Sequence, residues 1–586
     1  MEALKNLNTD LVPEPKQGRK DQKVSKKGGT GSDLSARGEP FLWGMGGALG
    51  LGLAMIFGFL LIVAWNGVIT FYPKPIQVLT LKDHSLLAGE PVRSEVYKPS
   101  RQELEEIDEA SRNAILNNKG FAERTLYRIG NFDLYNEDFA WVPFYKVKSM
   151  TRPEKMVLVE RAEWGPFIGT VEGLVIRGER LAPGAVGVAR IREEQNRAAA
   201  RRARIRGIER DEIGAINYIL DQERLALRRV AMQEGAESEA HKKAENESRA
   251  KIKDLQTRYG LLNKEADSIK KQDAQHKIIL KDIRGMEKEL LLSQIVRFYF
   301  ANDMSFLQKV GVYLSRWMEF LTAEPREANT EGGVFPAIFG TFVMTILLAL
   351  AVAPFGVMSA LYLREYAKQG RLVSMVRICV NNLAGVPSIV YGVFGLGFFA
   401  YIIGATIDQI FFPERLPNPT FGTGGVLWAS LTLALLTVPV VIVSTEEALA
   451  AVPQSMREGS LACGASKWQT IKNIVLPKAM PGIMTGLILA MGRGAGEVAP
   501  LMLIGVVKLA PSLPVDWFFP FFHLERSFMH LGFHIYDVGF QSRNSEAGKP
   551  MVFVTTLLLI ALVAAMNATA IYIRNRLKRK YYVGHF

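Results

Sequence analysis

Six stretches of this 586-residue chain run with almost no charged side chain for about 20 residues or more, the length a helix needs to cross ~30 Å of hydrocarbon. They are Leu42–Ile69, Val334–Leu363, Val380–Ile403, Val426–Ser444, Ala479–Val507 and Met551–Ile573. In lipid, backbone polar groups must be satisfied within the segment itself, so each run reads as a helix. Pro336, Pro354 and Pro387 lie within these runs, and such breakers are tolerated where packed neighbours satisfy the freed groups. The expected fold is mainly α, a polytopic membrane bundle of about six spans.

Charge sets the expected orientation. Residues 1–40 are polar and basic, with Lys16, Arg19, Lys20, Lys23, Lys26 and Lys27, and read as a disordered tail. The run at 41–70 begins too late and is too long for a signal-peptide core, and reads as an uncleaved first span. With the basic tail in the cytoplasm, Arg364, Lys368, Arg371 and Arg377 fall in a cytoplasmic loop, and Arg574, Arg576, Lys578, Arg579 and Lys580 at a cytoplasmic C-terminus. The loop near 404–425 falls outside, with Arg415 beside Asp408 and Glu414. Short-loop Lys and Arg thus agree throughout. Much of the +13 net charge flanks apolar runs, which favours anionic lipid over nucleic acid as its partner.

The polar segment between the first two spans is expected outside. Residues 71–185 mix short apolar runs with Gly and Pro and suggest an extracytoplasmic α+β domain. Residues 186–333 make up an extracytoplasmic long-helix region. Over 186–300 Pro and Gly nearly vanish, and Ile216, Ile219, Leu220, Leu225 and Leu227 recur at roughly helical spacing. The cluster Arg197–Arg210 reads as a solvated helix face. Cys379 and Cys463 lie elsewhere, so this domain has no disulfide.

The loop 445–478 carries a helix–turn–helix signature. Pro453 suits a first turn, and Gly464 suits a left-handed helix exit. Ser466 and Gln469 form a capping box, and Pro477 is expected to help end the second helix. Arg457, Glu458 and Lys467 are expected on the surface, as a docking element for a soluble partner or as an ordinary amphipathic loop.

Two charges fall within the fifth run. Arg493 and Glu497 are four apart and can pair on one helix face. A charge at mid-bilayer costs about 2.5–3.5 kcal/mol, so such residues face a bundle interior or an aqueous path. Gly492, Gly494 and Gly496 around them leave room for close helix approach. One reading has Arg493 offering its planar fork to a transient oxyanion, with Glu497 holding it between transits. The other has an ion pair that fixes packing. Asn381, Asn382, Ser388 and Tyr391 are further pathway candidates, with helix capping and interhelical hydrogen bonding as the alternatives. His530 and His534 have metal-pair spacing but no converging acidic cluster, and with His523 nearby read as interfacial packing. Trp517, Phe518, Phe519, Phe521 and Phe522 suggest an interfacial belt. No metal or cofactor site is expected. No G-x-x-x-x-G-K-[ST] loop occurs, and no nucleophile–base set is recognisable, so the chain reads as no enzyme.

Glu458, Gly464, Ile474, Leu476 and Pro477 resemble the E-A-A, three residues, G, nine residues, I-x-L-P pattern of permease subunits of bacterial ABC importers, with Gly459 and Ser460 in place of two alanines. The segments Leu383–Gly397 and Thr485–Leu503 resemble the phosphate-specific members (PstA-like), here in an extended form with a large insertion after the first span. The resemblance covers 334–580. It implies an ABC permease domain in the bacterial inner membrane, forming half of a pathway for inorganic phosphate, with 445–478 as the loop that couples to an ATPase. The implied partners are a second permease (PstC-like), two copies of an ATP-binding subunit (PstB-like), an extracytoplasmic phosphate-binding protein and membrane lipid. Sulfate, molybdate or a phosphonate as cargo, or a membrane-anchored sensor or scaffold acting through residues 186–300, are the alternatives.

Overall fold

The computed structural model describes residues 39–181, 188–542 and 545–582; most of the expected basic tail lies outside them. Among the described residues six helices are long and apolar enough to cross a membrane: Phe41–Ile69, Phe335–Tyr366, Ser388–Phe411, Val426–Ala450, Lys467–Gly496 and Glu546–Arg579. The chain divides into two compact units at Ile62/Val63. In the first, residues 39–62 are helical, without a charge from Phe41 onward. The second opens with the last turns of that helix, where Val63 is buried and Gly67 lies against Leu557 of the sixth span.

The fourth span is the centre of the bundle and packs on the second and the fifth. Small residues permit this. A Cβ on Gly356 would come 2.5 Å from Val441, and Cβ atoms on Gly482 and Gly486 would meet Ala448 and Ser444 at 2.4 and 2.6 Å. Met344, Leu348, Leu433, Val441 and Ala490 fill the shared core. Pro354, Pro439 and Pro481 all lie inside helices.

Two expected boundaries move. The third span begins at Ser388, and Asn381 and Asn382 belong to a separate short helix, Arg371–Leu383, broken off at Ala384–Pro387. The residue before a proline disfavours helical backbone, and Val386 precedes Pro387. The fifth span starts earlier than its apolar run, at Lys467, and ends at Gly496. Pro477 does not end its helix. A π turn, Ile471–Val475, precedes it, and Leu476 N–H bonds Ile471 O. These wider i→i+5 bonds carry the chain past the donor that proline lacks.

Among the described residues the insertion holds two larger sheets, a two-stranded one pairing Pro325–Arg326 with Glu331–Gly332, and a helical arm. The first sheet comprises β1 (Gln77–Leu81), β2 (Leu86–Tyr97), β3 (Ala122–Arg128), β4 (Phe139–Pro143) and β5 (Val147–Thr151), in the order β4-β3-β2-β1-β5. The second begins with β6 (Val157–Arg161), β7 (Phe167–Ile176) and β8 (Glu179–Leu181). The arm follows as Val188–Arg206, Ile213–Glu234 and Glu239–Asp273, the last two packing through Ile216, Leu220, Leu255 and Leu262. The chain then returns to the second sheet as β9 (Lys277–Lys281), β10 (Glu287–Leu291) and β11 (Ile295–Phe300), in the order β10-β9-β7-β6-β11. Helix was expected up to residue 300, but 277–300 is strand. The hairpin turn at Gly285 (φ +92°) and the short apolar run Ile278–Leu280, buried as a strand, are masked by the surrounding charge.

Side-chain bonds tie the insertion to the bundle. Arg93 pairs with Glu546 at 2.9 Å. In the arm, Tyr218 donates to Phe519 O at 3.1 Å and packs on Phe518, and Arg229 pairs with the buried Glu414. The arm therefore bridges the loop after the third span and the loop that precedes the sixth. At the foot of the insertion, Glu160 bonds both Arg297 and Arg316 beside a cavity of 190 Å³. Burial pushes the Glu160 carboxyl up, but these guanidiniums outweigh it and hold it below its ordinary range.

Candidate functional site

The hairpin in 445–478 forms as its caps dictate. Helix Gln454–Ala462 follows Pro453. Gly464 takes φ +83°, a conformation costly for any residue with a Cβ. The Ser466–Gln469 capping box is fully made. Ser460 Oγ and Thr470 Oγ1 share a hydrogen bond at 2.9 Å across the turn. Ser460 stands where the family pattern has alanine, and its hydroxyl adds this bond. A Cβ on Gly459 would meet nothing within 4 Å, so the second departure from the pattern is sterically neutral.

Glu458 and Lys467 are exposed, whereas Arg457 is not the surface residue expected. Its guanidinium donates to Leu449 O at 2.6 Å and Val452 O at 2.9 Å, and pairs with Glu365 at 3.0 Å. Arg457 thus fastens the hairpin to the ends of the second and fourth spans. Lys467 Nζ lies 4.9 Å over the Tyr366 ring. Glu365 and Tyr366 were not singled out from sequence; their position one turn beyond an apolar run is the signal that marks them. Ile474 and Pro477 line a 260 Å³ groove with Met456, Gly459, Ser460 and Lys478, and Leu476 packs inward against the Leu449 and Val475 cluster.

Helix Lys467–Gly496 runs unbroken from this hairpin to Arg493, about 40 Å at 1.5 Å per residue. Arg493 Nε lies 3.6 Å from Glu497 Oε1, with both side chains partly exposed, at 37 % and 22 %. The two do not share a helix face as expected. Glu497 is extended (φ −76°, ψ 136°) just past the helix end, before the short helix Ala499–Ile504. Pro500 in that helix's first turn starts a new element rather than continuing the old one. Of the three flanking glycines, Gly494 permits close approach, since a Cβ there would lie 2.4 Å from Leu348. Gly492 makes ordinary contact with Asn567, and Gly496 faces open space.

The helix break at Glu497–Val498 meets the third span. A Cβ on Gly392 would be 2.7 Å from Pro500 Cα, and one on Gly395 would meet Thr432 and Ile504. Tyr391 donates to Leu383 O at 2.7 Å and lies within electrostatic range of Arg493. Ser388 is half-buried at the start of the span, while Asn381 and Asn382 are exposed on their separate helix. Arg493 and Glu497 are therefore in contact, while the Tyr391 hydroxyl is committed to Leu383 O.

His530 and His534 are core residues rather than interfacial ones. His530 Nδ1 accepts Gly532 N–H, and His534 Nδ1 is 3.5 Å from Thr555 Oγ1. Burial holds both imidazoles down at about 4. Asp537, one turn on, takes Lys508 at 3.0 Å and Asn329 at 2.9 Å. Among the described residues no group of His, Cys, Asp and Glu is arranged to hold a metal ion.

The family model described as binding-protein-dependent transport system inner membrane component matches residues 352–579, which contain both the hairpin and the Arg493–Glu497 break. The chain is 36 % identical over 205 residues to the probable ABC transporter permease protein YqgH of Bacillus subtilis (strain 168), covering 34 % of this chain and 62 % of that protein. It is 31 % identical over 264 residues to the probable ABC transporter permease protein YqgI of the same organism, covering 43 % and 84 %. It is 36 % identical over 244 residues to the phosphate transport system permease protein PstA 1 of Mycobacterium tuberculosis (strain CDC 1551 / Oshkosh), covering 42 % and 71 %. The chain thus spans less than two thirds of the length of YqgH.

Proposed function

The chain belongs to the binding-protein-dependent transport system inner membrane components, the permease subunits of ABC transporters, and on that premise we propose that it forms half of the pathway of an inorganic phosphate importer. As a permease subunit it is a multi-pass inner membrane protein, not itself an enzyme, and works with an ATP-binding subunit and a substrate-binding protein. The finer reading adds a second, PstC-like permease, two PstB-like ATP-binding subunits and a phosphate-binding protein on the extracytoplasmic side. There it meets the insertion and the loops that the arm bridges.

The observation that carries this reading is the Arg493–Glu497 pair at a helix break within a segment that resembles phosphate permeases. A guanidinium offers paired donors to an oxyanion, and a carboxylate 3.6 Å away keeps it from holding that anion too tightly. The hairpin 445–478 is the coupling element. Movement of the ATP-binding subunits against Glu458 and the groove at Ile474 and Pro477 would be carried by helix Lys467–Gly496 to the break, and through Arg457 and Glu365 to the second span.

The test is uptake of labelled phosphate by cells in which this chain and its partner subunits are the only high-affinity route, with sulfate, molybdate and a phosphonate as competitors. Competition by unlabelled phosphate alone is expected. Displacement by one of the others at lower concentration would reassign the cargo and leave the permease assignment intact.

A further inference from the structure

Helix Phe306–Thr322 closes the insertion just before the second span and is amphipathic. Its N-terminus is fixed by a complete Ser305–Gln308 capping box. One face is spent on protein contacts. Arg316 pairs with Glu160 at 2.6 Å and donates to Phe71 O. Phe320 is fully buried, and Val312 packs on the cluster that includes Ile76 and Tyr299. On the opposite face Leu307, Gly311, Leu314 and Met318 follow one another at i, i+4, i+7 and i+11, a single line along the helix. Leu307 is 80 % exposed, Met318 64 % and Leu314 59 %, with Leu321 continuing the line.

The height of this helix is set at two points. Tyr313 donates to Val68 O at 3.1 Å, within the last turn of the first span, and Trp317 stacks edge-on against Phe71, two residues beyond it. At the other end Val334 N–H bonds Phe320 O and Phe335 N–H bonds Ala323 O, where the second span begins. The end of the first span and the start of the second lie on the same side of the bilayer, because the insertion joins them. Both the middle and the C-terminal end of the helix therefore sit level with one membrane boundary. An apolar stripe held at that level stands at the depth where the acyl region begins.

We propose that helix Phe306–Thr322 lies in the bilayer surface on the insertion side, with Leu307, Leu314 and Met318 sunk into the acyl region of one leaflet. It fixes the foot of the insertion to the membrane plane. Its partner is lipid, as the requirements of an interfacial helix predict: an apolar face, a polar opposite face and aromatic residues at the boundary. This assignment is independent of the transported solute.

The test uses the full chain in phosphatidylcholine vesicles, with Cys379→Ser and Cys463→Ser removing the native thiols. Single cysteines replace Leu307, Leu314, Met318, Gln308 or Ser315, each carrying an environment-sensitive fluorophore. Gln308 and Ser315 flank the stripe and are exposed. A doxyl-labelled lipid is expected to quench the three stripe positions severalfold more than the two flanking ones, and aqueous iodide the reverse. Iodide reaching the stripe as readily as Gln308 would overturn the proposal. So would protection from iodide without lipid quenching, which would mean that protein covers the stripe. Leu307→Cys, in the exposed first turn, carries the test alone should either of the other two stripe variants fail to assemble.

Discussion

Arg493 reaches Glu497 across the end of its own helix, Nε to Oε1 at 3.6 Å, so the pair bridges a break instead of running along a continuous face. Both side chains keep partial exposure, and neither is locked by other ionic partners among the described residues. Partial exposure spares the pair the full desolvation cost of a buried one and leaves the guanidinium reachable from solvent. Phosphate uptake, at matched membrane levels of the chain, is expected to fall at least about tenfold for Arg493→Ala, equivalent to roughly 1.4 kcal/mol, and less for Arg493→Lys. The effects of Arg493→Ala and Glu497→Ala should be non-additive, because the groups are in contact. Wild-type uptake in both single variants would remove the pair from the pathway.

Gly464 holds the hairpin turn at φ +83°. Gly464→Val is expected to cost about 1–2 kcal/mol locally and to reduce co-purification of the ATP-binding subunit. Gly464→Asn should retain it, since asparagine tolerates the left-handed region. Equal capture by wild type and Gly464→Val would detach the turn from coupling.

Arg229 is the ionic partner of Glu414, whose side chain is only 2 % exposed. Burial pushes the Glu414 carboxyl up, but hydrogen bonding and charge from Arg229 bring it below its ordinary value. Arg229→Ala should therefore cost about 1–3 kcal/mol, seen as faster hydrogen exchange around residues 412–416. Glu414→Gln should cost less, because the charge it leaves without a partner, Arg229, is 53 % exposed and stays solvated. Unaltered exchange in Arg229→Ala would show that the arm does not brace this loop.

His530 and His534 titrate near 4 in the fold, against 6.5 unperturbed. Their folded-state values are depressed, so the unfolded chain binds more protons as pH drops. Stability tied to the neutral imidazoles is full above about pH 6.5 and is lost progressively towards pH 4, by up to about 3 kcal/mol for each. Thermal denaturation of the detergent-solubilised chain should show this slope, and His534→Gln should flatten it. A slope unchanged in His534→Gln would place the sensitivity elsewhere.

Much of the architecture was legible in advance, because the signals are local. Runs nearly free of charge located the six spans found among the described residues, and Gly464, Ser466 and Gln469 specified a turn and a cap that form as read. The failures are equally specific. Pro477 reads locally as a helix end, but a π turn absorbs it. The strands at 277–300 lay hidden within a charged region that reads as helix, since their sheet partners β6 and β7 are more than 100 residues earlier. Arg457 looks like a surface charge until the carbonyls of Leu449 and Val452 and the carboxylate of Glu365 are brought to it.

Which segments are apolar enough to span a membrane and how the hairpin turns are local matters, because apolar length, caps and left-handed glycines act within a few residues. It takes the folded chain to stop the fifth helix between Arg493 and Glu497, to seat Pro500 against Gly392, and to bring Arg229 to Glu414 185 residues away. Those contacts depend on the path of the whole chain. A charge shows in its local sequence only that it must be satisfied; the fold supplies the partner.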